Sequence, residues 1–150
     1  MNLTKKEILE ISQLKLYHKS TFDLYIEKSK IHGAGLGIFT KVNIPKDTYI
    51  DDYHGEILER HYGGEYCFEI TDNLIINAME SPRCYMAMLN DASFRPKSKR
   101  KLIKFIDHNY KNNCYFVSDI ENKRVKVYSL VDIYPSDELF ISYGDDYWNL

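Results

Sequence analysis

The sequence predicts a mainly β fold with short helices and one N-terminal helix, on three observations. Thirteen tyrosines in 150 residues favour strands over helices. Two separate stretches alternate apolar and polar residues around turn signals, as hairpins do. The clearest helix start, a capping box, lies at the N-terminus. The length suits a single domain that needs no staples, and we expect residues 1–20 to form a helix packing on a domain that runs over 21–150.

Thr4-x-x-Glu7 is a capping box ahead of Ile8, Ile11 and Leu14, whose spacing predicts an apolar stripe on a helix ending near His18. Phe22 to Glu27 reads as a short strand. The run Gly33-Ala34-Gly35-Leu36-Gly37 then places glycine at alternate positions, where the chain must bend sharply or something must approach it closely. It is not a dinucleotide fingerprint, because Ile38 stands where a glycine would be needed and Pro45 follows soon after. A glycine-rich turn is the simpler reading; bare peptide groups that bond a flat polar ligand are the sharper one.

Asn43 to Asp47 is a turn, Thr48 to Tyr53 a strand, and Gly55-Glu56-Ile57-Leu58 continues the β character. After a turn at Gly63-Gly64, Tyr66, Phe68 and Ile70 alternate with polar neighbours. Thr71-Asp72-Asn73 reverses the chain into Leu74 to Ala78. Ser81-Pro82 has the form of a cap followed by proline at the first helical position, so Arg83 to Met88 is expected to be helical. It delivers Asn90, whose amide, arriving after Met86, Met88 and Leu89, needs partners wherever it is buried.

Residues 93–112 lack periodicity and read as a long loop. Within it the basic block from Arg95 to Lys104 reads first as a solvated loop, with nucleic-acid phosphate contact or nuclear targeting as alternatives. Cys114 to Ile120 and Arg124 to Ser129 flank a turn and form the second hairpin, with Val125 and Val127 on one face. A short apolar strand from Leu139 then ends at Tyr143, and Gly144 permits an immediate turn.

The net charge of −2 gives no global attraction to nucleic acid. Cys67, Cys84 and Cys114 form no C-x-x-C pair and the histidines are scattered, so we expect reduced thiols, an intracellular compartment and no metal. No apolar run is long enough for a membrane span and no signal segment is evident, which predicts a soluble protein.

Four pieces stand in one order: Gly35-Leu36-Gly37, Tyr53-His54-Gly55-Glu56, Leu89-Asn90-Asp91, and Glu138-Leu139-Phe140-Ile141-Ser142-Tyr143-Gly144. Together with the closing Tyr147-Trp148, this series resembles the SET-domain protein lysine methyltransferases from about Phe22 to Trp148. The resemblance implies several small sheets with a C-terminal pseudoknot, S-adenosylmethionine as methyl donor, and a basic protein tail such as a histone as substrate. Nuclear or chromatin association would follow. It implies that Ala34, Gly35 and Leu36 contact the cofactor through the backbone, with Asn90, Asp91 and Tyr143 completing that pocket. Tyr143 and Tyr53 would be catalytic, and Tyr53, Phe116, Ile141, Tyr147 and Trp148 would line or cover the lysine channel.

The family usually has Asn-His-Ser where this chain has Asn90-Asp91-Ala92, and its histidine joins the cofactor pocket to the pseudoknot. Asp91 can still accept a hydrogen bond. Neither Ile141 nor Phe116 carries a hydroxyl, which predicts room for a methylated amine and addition of more than one methyl. Acidic Asp137, Glu138, Asp145 and Asp146 would attract a basic tail. Two other readings stand beside this one: a domain of weakened turnover serving as a protein-interaction module, motivated by Asp91-Ala92, and a nucleic-acid binder using the basic block.

Overall fold

The computed structural model describes residues 3–13, 16–17, 20–58, 67–71, 74–78, 83–93 and 109–144. The capping box forms as its spacing requires: Thr4 N donates to Glu7 Oε1 and Glu7 N to Thr4 Oγ1, both at 3.1 Å. Helix α1, Lys5–Gln13, is shorter than predicted, because Leu16–Tyr17 (β1) already pairs in parallel with Arg83–Cys84 (β8). Its Ile8 is 54% exposed, so this position of the expected apolar stripe is not buried, while the side chains of Ile11 and Leu14 lie outside the described residues.

The described strands make four small sheets. β2 (Leu24–Lys28) and β3 (Leu36–Thr40) form an antiparallel pair on either side of the glycine-rich loop. β4 (Tyr49–Asp52) joins the hairpin of β9 (Cys114–Asp119) and β10 (Arg124–Ser129), with β10 in the middle. β5 (Glu56–Leu58), β7 (Leu74–Asn77) and β6 (Cys67–Thr71) form another antiparallel sheet with β7 central. Both predicted hairpins are therefore present. Val125 and Val127 are fully buried on one face, as their alternation demands.

Two expectations are corrected. Arg83 to Met88 is not one helix: Arg83–Cys84 is extended by its pairing with β1, and only Tyr85–Met88 winds into a single 3₁₀ segment. Cys84 at its start provides no side-chain cap. Nor does the stretch from Leu139 to Tyr143 form a regular strand. Glu138 bridges Phe39, Phe140 bridges Asn90 and Ile141 bridges Cys114, so each residue meets a different segment and no ladder can build.

This C-terminal stretch thus threads between Leu89–Asp91 and Asn113–Cys114. It carries Leu139 and Ile141 into the main core beside Ile38, Met86 and Leu89. Ile31, Ala92 and Phe140 form a second, smaller cluster next to it. No helix among the described residues is long and apolar enough to cross a membrane.

Candidate functional site

The site begins with the glycine-rich loop. Gly33 and Gly35 have φ of +84° and +77°, conformations that favour glycine, and the space where their side chains would stand is open. Ser29 N donates to Gly35 O at 2.8 Å and closes the loop. Gly37 serves a different need. A side-chain carbon there would collide with the carboxylate of Glu138.

Glu138 is 2% exposed and acts as a hub. It accepts from Ser29 Oγ at 2.8 Å, from Lys30 N at 2.7 Å and from Asn90 Nδ2 at 3.2 Å. Burial raises its pKa, against the lowering effect of the Lys30 backbone bond and the Ser29 and Asn90 side chains. Its carboxylate is used up inside the protein. The expected role of Glu138 in attracting a basic tail is therefore corrected: its bridge to Phe39 turns it inward.

Asn90 Nδ2 also donates to Leu36 O at 2.9 Å, so the predicted cofactor residues Ala34, Gly35 and Leu36 and the amide of Asn90 lie in one neighbourhood. The burial cost of that amide, foreseen from the apolar residues before it, is met by these two acceptors. Its nitrogen is committed, and its oxygen accepts no hydrogen bond among the described residues.

Tyr143 is held by the segment that contains Asn90. Its hydroxyl donates to Leu89 O at 2.5 Å and its backbone N–H to Asp91 Oδ2 at 2.9 Å, while Ile141 N donates to Asn90 O at 2.9 Å. The residue is 36% exposed, so the ring stays reachable. Asp91, 1% exposed, uses its other oxygen for Ser93 N, Ser93 Oγ and Asn112 Nδ2, at 2.8, 2.5 and 3.0 Å. Aspartate thus ties the segment of Asn90 to the C-terminal stretch.

Tyr53, Phe68 and Phe116 form an aromatic cluster with ring centroids 5.8 Å apart for Tyr53–Phe68, 6.0 Å for Tyr53–Phe116 and 4.7 Å for Phe68–Phe116. Tyr53 shares the main core with Ile141, and Phe116 packs against that core two residues along from Cys114, the bridge partner of Ile141. Of the predicted channel residues, Tyr53 and Phe116 are therefore neighbours, and Ile141 belongs to the same core. Tyr147, Trp148, Asp145, Asp146 and the basic block 95–104 lie outside the described residues.

Sequence reasoning missed three participants. Phe68 was legible only as one apolar position of a hairpin, and its place facing Tyr53 and Phe116 depends on how two sheets meet. Asn112 and Asn113 sat in a stretch without periodicity. Asn113 Oδ1 accepts from Phe140 N and its Nδ2 donates to Glu138 O, both at 2.8 Å. One side chain thereby replaces a strand neighbour. Among the described residues no group of three His, Cys, Asp or Glu could hold a metal ion.

Comparison with known proteins agrees with this arrangement. A family model for the SET domain matches residues 35–144, more than half of the chain. The chain is 30% identical over 152 residues to an H3 lysine-4 specific histone-lysine N-methyltransferase of Chaetomium globosum, which covers 91% of this chain and 12% of that protein. It is 27% identical over 139 residues to the histone-lysine N-methyltransferase trithorax of Drosophila virilis, covering 83% of this chain and 3% of that one. This chain therefore spans a small part of those relatives' length.

Among solved structures, KRYPTONITE in complex with mCHG DNA and SAH superposes with a TM-score of 0.60 at 21% identity, over 84% of this chain and 24% of that one. The polycomb repressive complex 2 of Chaetomium thermophilum gives a TM-score of 0.59 at 18% identity, over 83% of this chain and 16% of that chain. At these identities the superpositions speak for the fold. With the family match over residues 35–144, they establish that the chain belongs to the SET-domain family.

Proposed function

We propose that this chain is an S-adenosylmethionine-dependent protein-lysine N-methyltransferase acting on a basic protein segment such as a histone tail. The observation that carries the reading is the convergence at Asn90. Its side chain donates to Leu36 O, next in the chain after the loop of Gly33 and Gly35, and the backbone around it holds Tyr143. The names of the relatives, and the SAH held by KRYPTONITE, support the same reaction and donor.

The residues suit that donor. The open side of Gly33 and Gly35 leaves room beside exposed peptide groups, and the Asn90 oxygen is an acceptor suited to an amine. Ala34, Gly35 and Leu36 would hold it through the backbone and Asn90 through its side chain. When bound, S-adenosylmethionine supplies a methyl group on an electrophilic sulfonium.

The protein's own task is alignment and exclusion of water. A lysine amine has a pKa of about 10.4 in water, and burial among Tyr53, Phe68 and Phe116 favours its neutral, nucleophilic form. Tyr143 donates its hydroxyl proton to the Leu89 carbonyl, and a hydroxyl oxygen can accept as well as donate. That oxygen would face the polarised C–H groups of the transferring methyl. Ile141 and Phe116 place no hydroxyl in the channel, and a methylated amine can therefore turn and react again.

A labelled-methyl assay over histones and other basic proteins tests the reading. Tyr143→Phe is expected to keep the fold and lower kcat by about 100-fold, the typical loss for one positioned polar group at a reacting centre. Full turnover in that variant would remove Tyr143 from the chemistry. Mass spectrometry of the product is expected to show di- or trimethyl-lysine on long incubation; monomethyl-lysine alone would overturn the reading of Ile141 and Phe116.

A further inference from the structure

We propose that Asp91 is the positioning residue of Tyr143: its carboxylate fixes the tyrosine's backbone while the neighbouring Leu89 carbonyl fixes its hydroxyl. The inference rests on the methyltransferase reading for its kinetic consequence, though not for its geometry.

Three successive residues each offer one acceptor to the C-terminal stretch. Leu89 O takes the Tyr143 O–H, Asn90 O takes the Ile141 N–H, and Asp91 Oδ2 takes the Tyr143 N–H. Tyr143 is thus gripped at both ends by one short segment. On the other side Gly144, with φ of +87°, donates its N–H to Ser142 Oγ at 3.1 Å, a contact within the stretch itself. Restraint on the tyrosine's backbone from another segment comes through Ile141 and Asp91.

The remaining contacts of Asp91 explain why a carboxylate stands there. Ser93 N, Ser93 Oγ and Asn112 Nδ2 all point hydrogens at Oδ1, so with Tyr143 N the described polar partners supply four donors. A carboxylate accepts all of them. An amide of the same shape brings its own N–H groups and must set one donor against another. Asn112 in turn accepts from Ala92 N at 2.8 Å, which fixes the direction of the Nδ2 that braces Asp91.

The division of labour with Glu138 makes the idea separable from a general role in folding. Glu138 ties Ser29, Lys30 and Asn90, the side of the site assigned to the cofactor. Asp91 ties Tyr143, Ser93 and Asn112. Loss of the Asp91 carboxylate is therefore expected to lower kcat and leave cofactor affinity alone.

The test uses Asp91→Asn in the full chain, with kcat, KM for S-adenosylmethionine, and the ¹⁹F spectrum of protein labelled with 3-fluorotyrosine. Tyr143→Phe identifies which resonance belongs to Tyr143. We expect kcat to fall by about 10- to 100-fold, the scale of a misplaced reacting group. KM for the cofactor should stay within about twofold, and the Tyr143 resonance should shift or broaden while those of distant tyrosines hold still. A rise in cofactor KM with kcat unchanged would overturn the assignment and place Asp91 with the cofactor. An unmoved Tyr143 resonance would overturn it too.

Should Asp91→Asn not fold, Asn112→Ala leaves the carboxylate in place and removes one brace. It is expected to move the same resonance by less, and a motionless resonance there overturns the proposal. If the wild-type protein turns over no substrate, the methyltransferase reading fails, while the resonance still decides whether Asp91 positions Tyr143.

Discussion

The β9–β10 hairpin and the C-terminal stretch from Glu138 to Tyr143 feed the same core by opposite means. The hairpin pairs six residues in unbroken register, from Arg124 opposite Asp119 to Ser129 opposite Cys114. Lys123, with φ of 53°, completes its turn. Backbone bonds between near neighbours hold it, and alternating valines bury its inner face. The C-terminal stretch has no such ladder. It touches β3, Asn90 and Cys114 by single bridges, and side chains complete its backbone bonding: Asn113 for Phe140 and Glu138, Asp91 for Tyr143.

The difference teaches where the site's precision comes from. A ladder repeats, so its residues are interchangeable within a pattern. A stretch satisfied one residue at a time depends on particular acceptors at particular places. It can then aim one side chain, Tyr143, without also presenting an open sheet edge.

The contrast can be broken most strongly at Asn113. Asn113→Ala strips partners from the Phe140 N–H and the Glu138 carbonyl together. It is expected to cost about 3 kcal/mol by chemical denaturation, the range for two buried groups left unsatisfied, and to lower kcat as well. A loss within the noise of the measurement would mean that the stretch is held by its apolar residues instead. Val125→Ala is the matching change in the hairpin. Two methyl groups leave a fully buried site, and the expected loss is about 2 kcal/mol with unchanged kcat per folded molecule. A drop in kcat there would show that the hairpin also aims the tyrosine.

The smallest effect concerns pH. Burial raises the pKa of Glu138, so the folded protein holds that proton more tightly than the unfolded chain does. The associated stability is complete below the ordinary carboxylate value and is lost as pH rises through the folded value. Glu138→Gln is expected to flatten that part of the stability curve, read by denaturant midpoints from about pH 4 to pH 7. An unchanged slope would assign the titration elsewhere.

Much of the architecture was legible in advance. The capping box, both hairpins and the turns over 43–47 and 121–123 were written in local pattern, because each is satisfied by residues a few positions apart. The errors fell where a distant partner overrode a local preference. Arg83–Cys84 became strand because β1 reached it, and the predicted Leu139 strand dissolved into bridges because three segments compete for it. Glu138 read as a surface charge and is buried, since nothing near it in sequence announces Ser29, Lys30 or Asn90.

The sequence by itself determined which residue types the candidate site would contain and the order in which the chain delivers them: the glycine loop, Tyr53, Asn90, Ile141, Tyr143. Only the tertiary structure decided what each one does. Gly35 is needed for its backbone conformation and Gly37 for the carboxylate beside it. Asp91 grips the tyrosine, and Phe68 closes an aromatic cluster with Tyr53 and Phe116. The physical reason is range. Backbone preferences act over a few residues, whereas a buried polar group is satisfied by whatever the fold brings within about 3 Å, however far away in the chain.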